Sequence, residues 1–219
     1  MQPTQHTCTV PRTARYYTLG ALGPATREVW FVLHGYGQLA RYFLQRFEPI
    51  ADESRLIVAP EGASRFYLDV PSYTRVGASW MTRDDREHDI ADQQQYLNAV
   101  YSQVLPQGLP TGVRLVVLGF SQGTATAWRW VCAAPALPVS ALVLWAGSIP
   151  LEAAPEGRLA GVDLQLYLGD ADDIIPRPKA EAYLAQLAAA GIRPAVTWYA
   201  GGHTVPESAL VALANGLAH

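Results

Sequence analysis

Three short stretches hold the residue types that could do chemistry together. Residues 119–123 read G-F-S-Q-G, residues 169–176 read G-D-A-D-D-I-I-P, and residues 201–206 read G-G-H-T-V-P. A serine hydroxyl is a weak nucleophile until a base within hydrogen-bond reach takes its proton and an acid orients that base. The glycines two residues either side of Ser121 fit a strained strand-to-helix turn, where side chains at those positions would collide with neighbouring backbone. The pentapeptide is a weak signal alone, because glycine and serine are common; a strand before it and a helix after it make it specific. Ser121 is the candidate nucleophile on that ground.

Five histidines compete for the role of base. His6 and His219 are terminal, and His88 lies where a helix begins. His34 directly precedes a glycine-rich loop, where it is better suited to buttressing backbone. His203 follows the last strand pattern and precedes the last helix pattern, and the order serine, acid, histidine is that of α/β-hydrolases. Asp170, Asp172 and Asp173 share one loop, and spacing does not choose among them. The negative charge that develops on a carbonyl oxygen under attack needs preorganised N–H donors. Gln122, directly after the nucleophile, supplies one candidate. Tyr36 in H-G-Y-G (34–37) supplies the other, with Gly35 and Gly37 allowing close backbone approach.

Such loops need a frame that brings strand ends together. Apolar runs predict strands at Arg15–Leu19, Val29–Leu33, Leu56–Ala59, Arg114–Leu118, Ala141–Trp145, Leu164–Leu168 and Ala195–Tyr199. Helical patterns cover Ala40–Asp52, Asp89–Val104, Gly123–Ala133, Pro176–Ala190 and Pro206–Leu217. Near-continuous runs such as L-V-V-L and A-L-V-L-W suit strands buried on both faces of a parallel sheet. The alternation predicts an α/β fold in three layers, with a mostly parallel central sheet, helices on both faces and an antiparallel first strand at one edge. Ligands then bind beyond the carboxyl ends of the strands, where all four loops named above fall. One domain is expected over 1–219. Within it, the aperiodic stretch 61–86 is either a packed surface excursion or a cap that lines the substrate.

Composition narrows the partners. Half of the 219 residues are hydrophobic and 16% are charged, which fits a sizeable core. With a formal charge of -3 and no block of Lys or Arg, neither nucleic acid nor an anionic membrane is an expected partner. Cys8 and Cys132 make neither a disulfide framework nor a metal site, and no apolar run approaches the ~20 residues that span a bilayer. The first residues lack the features of a secretory signal, so a cytoplasmic location is expected.

The motifs L-H-G-Y-G (33–37), A-P-E-G (59–62), G-F-S-Q-G (119–123), G-D-A-D-D-I-I-P (169–176) and G-G-H-T-V-P (201–206) together resemble the phospholipase/carboxylesterase group of α/β-hydrolases, which includes the acyl-protein thioesterases. The resemblance implies that Ser121 is the nucleophile, His203 the base and Asp172 the acid, with the backbone of Tyr36 and Gln122 as oxyanion donors. Residues 65–83 are similar to bacterial esterases of the group and differ from the eukaryotic thioesterases. A serine carboxylesterase is therefore expected, acting without metal or organic cofactor. The aromatic and apolar residues near the site, Tyr36 among them, suggest a small or medium, uncharged ester. Phe66, Tyr67, Trp80, Ile174 and Val205 are the expected pocket residues, and a monomer or homodimer the expected assembly. An acyl-thioesterase or lysophospholipase of the same family is the nearest alternative. A non-catalytic ligand receptor on the same fold is the remote one.

Overall fold

A computed structural model describes residues 2–134, 136–151, 157 and 159–217; His219 therefore lies outside the described residues. In chain order the strands are β1 (Tyr16–Leu19), β2 (Glu28–Leu33), β3 (Arg55–Pro60), β4 (Ser64–Tyr67), β5 (Val76–Ser79), β6 (Arg114–Phe120), β7 (Val139–Trp145), β8 (Asp163–Gly169) and β9 (Ala195–Tyr199). The helices are α1 (Ala40–Leu44), α2 (Arg86–Val104), α3 (Gln122–Ala133), α4 (Arg177–Ala189) and α5 (Glu207–Leu217).

Seven strands form one sheet in the order β1-β3-β2-β6-β7-β8-β9. All neighbours are parallel except β1, which runs antiparallel to β3 at the edge. Successive side chains on a strand point to opposite faces, so the sheet divides its apolar residues between two layers. Val29, Phe31 and Leu33 of β2 pack with Leu97 of α2 and Trp128 of α3 on one side. Trp30 and Val32 pack with Phe43 of α1 and Leu213 of α5 on the other. Both faces being covered, every residue of β2 is buried, which is why the strand reads as an apolar run rather than an alternation.

Two segments differ from the pattern in the sequence. The helix expected over Ala40–Asp52 is α-helical only to Leu44 and continues as a 3-10 turn over Gln45–Ile50. Pro49 lacks an N–H and its ring crowds the carbonyl four residues back, so the α-helix does not continue. The stretch 61–86 contains the antiparallel pair β4–β5, absent from the expected strands. Four residues per strand, with S-R-F-Y and V-G-A-S as sequences, are too few to show a period. This hairpin is fastened to the loop after β2. Gly37 N–H donates to Ala78 O at 2.8 Å, and Ala78 N–H donates to Gln38 O at 3.2 Å. A Cβ on Gly77 would stand 2.5 Å from Gly37 O, so only glycine permits the approach.

From β2 the chain moves to β3 on one side, and β6 later joins on the other. The loops leaving β2 and β6 meet at that switch, beyond the carboxyl ends of the two strands. Among the described residues, no helix is long and apolar enough to cross a membrane.

Candidate active site

Ser121 stands between β6 and α3 with φ +54 and ψ −116, a conformation non-glycine residues seldom adopt. Such a residue costs about 1–3 kcal/mol and persists only where its surroundings hold it. Here Ser121 N–H donates to Trp145 O at 2.8 Å, and Ser121 O accepts Thr124 N–H at 3.1 Å. The flanking glycines are required sterically. A Cβ on Gly119 would lie 2.3 Å from Gly123 O, and one on Gly123 would lie 2.2 Å from Leu33 O.

His203 follows β9 and reaches back to the serine, with Nε2 2.9 Å from Ser121 Oγ. Its Nδ1 lies 2.8 Å from Asp172 Oδ2. An ionised carboxylate only accepts, so this contact puts the proton on Nδ1 and leaves Nε2 able to accept from the serine hydroxyl. Asp172 is 4% exposed, and its other oxygen accepts Ile174 N–H and Ile175 N–H, each at 2.9 Å. Of the three loop acids, only Asp172 meets the imidazole. Asp170 accepts Gly201 N–H at 2.8 Å, and Asp173 is exposed.

The acid loop and the histidine loop fit together through Gly169, where a Cβ would stand 2.6 Å from Gly201 O. Residues that sequence reasoning passed over hold the histidine loop. Thr204 O accepts Trp145 Nε1–H at 3.0 Å and lies 2.9 Å from the Tyr199 hydroxyl; Thr204 Oγ1 accepts Arg46 Nη1–H at 3.1 Å. Phe120 packs on the imidazole at 5.1 Å between ring centroids. Trp145, Tyr199 and Phe120 each end a strand, and that position is the only signal the sequence carries for them. Burial pushes the Tyr199 hydroxyl's pKa above its ordinary value.

On the β2 side, the position of a Gly35 Cβ would be 3.1 Å from Ser121 Cβ, so the H-G-Y-G loop lies directly against Ser121. His34 supports this loop from within the core. Its Nε2 accepts Gly62 N–H at 2.9 Å, which leaves the proton on Nδ1, 2.8 Å from Gly35 O. Burial lowers its pKa and keeps it neutral. Glu61 of A-P-E-G, 2% exposed, bonds Arg15 at 2.7 Å and caps Ala40 N–H at 3.2 Å, so that motif is structural. Among the described residues, the N–H groups of Tyr36 and Gln122 have no hydrogen-bond partner, as donors for a substrate oxygen require.

The Gln122 side chain ties the hairpin to the serine. Its Nε2 donates to Ser79 Oγ at 3.0 Å and Met81 O at 2.9 Å, and its Oε1 accepts Trp80 N–H at 3.1 Å. Two of the expected pocket residues are instead core. Trp80 is 2% exposed, stacked on His34 and donating to His34 O, and Val205 is 4% exposed beneath the histidine loop. Their apolar surface is already covered by protein, which leaves none for a ligand. Phe66 pairs with the exposed Tyr36 at 5.1 Å, and Tyr67 and Ile174 are exposed. Among the described residues, no group of three or more His, Cys, Asp or Glu could hold a metal ion.

The family model for serine hydrolase (FSH1) matches residues 28–213. Acyl-protein thioesterase 2 from Zea mays is similar in structure, with a TM-score of 0.70 and 21% identity over 94% of this chain and 98% of that one. A carboxylesterase from Mesorhizobium loti gives 0.67 and 21% over 88% and 89%, and one from Bacillus cereus 0.65 and 16% over 93% and 92%. At these identities the likeness is one of fold, and it agrees with the resemblance to the phospholipase/carboxylesterase group. No curated protein sequence matches the chain.

Proposed function

Because the chain belongs to the serine hydrolase (FSH1) family, we propose that it is a carboxylesterase working through an acyl-enzyme on Ser121. Ser121 Oγ attacks the ester carbonyl while His203 Nε2 takes its proton, and Asp172 holds the imidazole in the required tautomer. The N–H groups of Tyr36 and Gln122 receive the oxyanion. His203 then returns the proton to the leaving alcohol, and it later deprotonates the water that releases the acid. The observation that supports this reading most is the unbroken contact from Asp172 through His203 to Ser121, at 2.8 and 2.9 Å. The substrate proposed is a small-to-medium carboxylic ester.

The test is labelling with a fluorophosphonate followed by peptide mass spectrometry, which requires nucleophile, base and oxyanion donors at once. An adduct on Ser121, absent from Ser121→Ala, is the expected result; no adduct on Ser121 overturns the reading. A thioesterase of the same family is the second reading. The exposed apolar side chains of Tyr67, Leu68 and Val70 support it, since they could carry a long acyl chain. A strong kcat/KM preference for long-chain acyl-thioesters over short-chain aryl esters would favour it.

A further inference from the structure

A cavity of about 420 Å³ opens beside the loop that follows β2. Helix α1 and the 3-10 turn form one wall, and the β4–β5 hairpin forms the other. Arg41, Arg46 and Arg75 line it, and no lining residue is acidic. Among the described residues none of these three guanidinium groups has a carboxylate partner, whereas Arg15, Arg55, Arg65 and Arg177 all do. Asp69 at the hairpin tip stays ionised nearby but does not line the cavity. It accepts the Thr74 and Ser72 hydroxyls and the Arg75 N–H, and these bonds hold its carboxyl well below the usual range. A chain of net charge -3 thus gathers three cations in one concavity, which concentrates positive potential there.

The cavity also abuts the candidate site. Gly37 belongs to the loop that lies against Ser121, and Arg46 donates to Thr204, the neighbour of His203. The Phe43 wall stacks on Phe120 at 5.9 Å, and Phe120 packs on the His203 ring. We propose that this cavity is the subsite for an oxyanion carried by the ester, a carboxylate or a phosphate, so that the preferred substrates are anionic esters. The inference rests on the esterase reading above and replaces the uncharged ester suggested by the aromatic content of the sequence. Arginine suits the role because its planar fork matches both groups with paired, charge-assisted hydrogen bonds. The anion takes no part in the chemistry; water still cleaves the ester bond to acid and alcohol, and the subsite acts on binding.

The test compares kcat/KM for the p-nitrophenyl monoester of glutarate against p-nitrophenyl butyrate, and for O-acetyl glycerol phosphate against O-acetyl glycerol, so that each anionic ester is set beside a neutral one with the same kind of leaving group, at low and high salt. At least one anionic ester is expected to exceed its neutral counterpart by roughly tenfold, with the preference shrinking as salt screens the arginines. Which anionic ester gains distinguishes carboxylate from phosphate. Arg75→Gln and Arg41→Gln are each expected to lower the anionic-to-neutral ratio by roughly tenfold, chiefly through KM. Equal or better turnover of the neutral ester, or a ratio that neither substitution moves, overturns the proposal. If no ester of any charge is hydrolysed, the esterase reading fails instead. Calorimetric titration of Ser121→Ala protein with glutarate and with inorganic phosphate then decides the subsite: saturable binding lost in Arg75→Gln supports it, and no binding of either anion overturns it.

Discussion

Asp172 differs from its neighbours Asp170 and Asp173 by what each oxygen touches. One of its oxygens orients His203, and the other is held by two backbone N–H groups, so the carboxylate cannot swing away. Asp172→Asn removes the acceptor that selects the imidazole tautomer and is expected to lower kcat by about 10⁴-fold. Asp170→Asn loses charge at a turn contact to Gly201 N–H, and Asp173→Asn changes an exposed side chain. Each is expected to cost less than tenfold in kcat by the same measurement. Steady-state kinetics of the three variants side by side check the assignment, and the reverse order would move it.

At the scale of elements, the decisive contacts join segments far apart in sequence. The Gln122 side chain, on the first turn of α3, bonds three consecutive residues at the end of the hairpin. Gln122→Ala keeps the backbone N–H beside Ser121 but leaves Trp80 N–H and Met81 O without that partner. A loss of about 1–3 kcal/mol is expected from such unsatisfied groups. Urea unfolding should show it, together with faster proteolytic cleavage within 64–79. Unchanged stability and cleavage would mean that Gln122 does not hold the hairpin. The motif G-F-S-Q-G was legible in the sequence, but this use of its glutamine side chain was not, because its partners lie about forty residues upstream.

The whole molecule is organised by one sheet that serves both apolar layers, so neither layer survives loss of the strands. Urea unfolding is accordingly expected as one transition, coincident by circular dichroism and tryptophan fluorescence. Its stability should depend on pH through His34. The native pKa of His34 lies below the ordinary value of 6.5, so below that pH the unfolded chain binds a proton that the native fold excludes. Stability from this group is therefore full above about 6.5 and declines as pH falls toward the lowered native value. His34→Gln, which keeps an acceptor for Gly62 N–H, should flatten that decline relative to the parent in melting curves across pH. Parallel curves for the two proteins would remove His34 as the cause.

The sequence by itself determined the alternation of strands and helices, the parallel sheet, and the candidates Ser121 and His203. These follow from local period, glycine spacing and chain order, all of which are properties of neighbouring residues. It narrowed the acid to three aspartates of one loop and reached Asp172 through family resemblance alone. Tertiary structure decided which aspartate meets the imidazole, that Trp80 and Val205 are core, and that the arginines at 41, 46 and 75 share one cavity. Such facts depend on where strand ends and a hairpin come to rest in space. Contacts between loops far apart in the chain leave no periodic trace in the sequence that folds to make them.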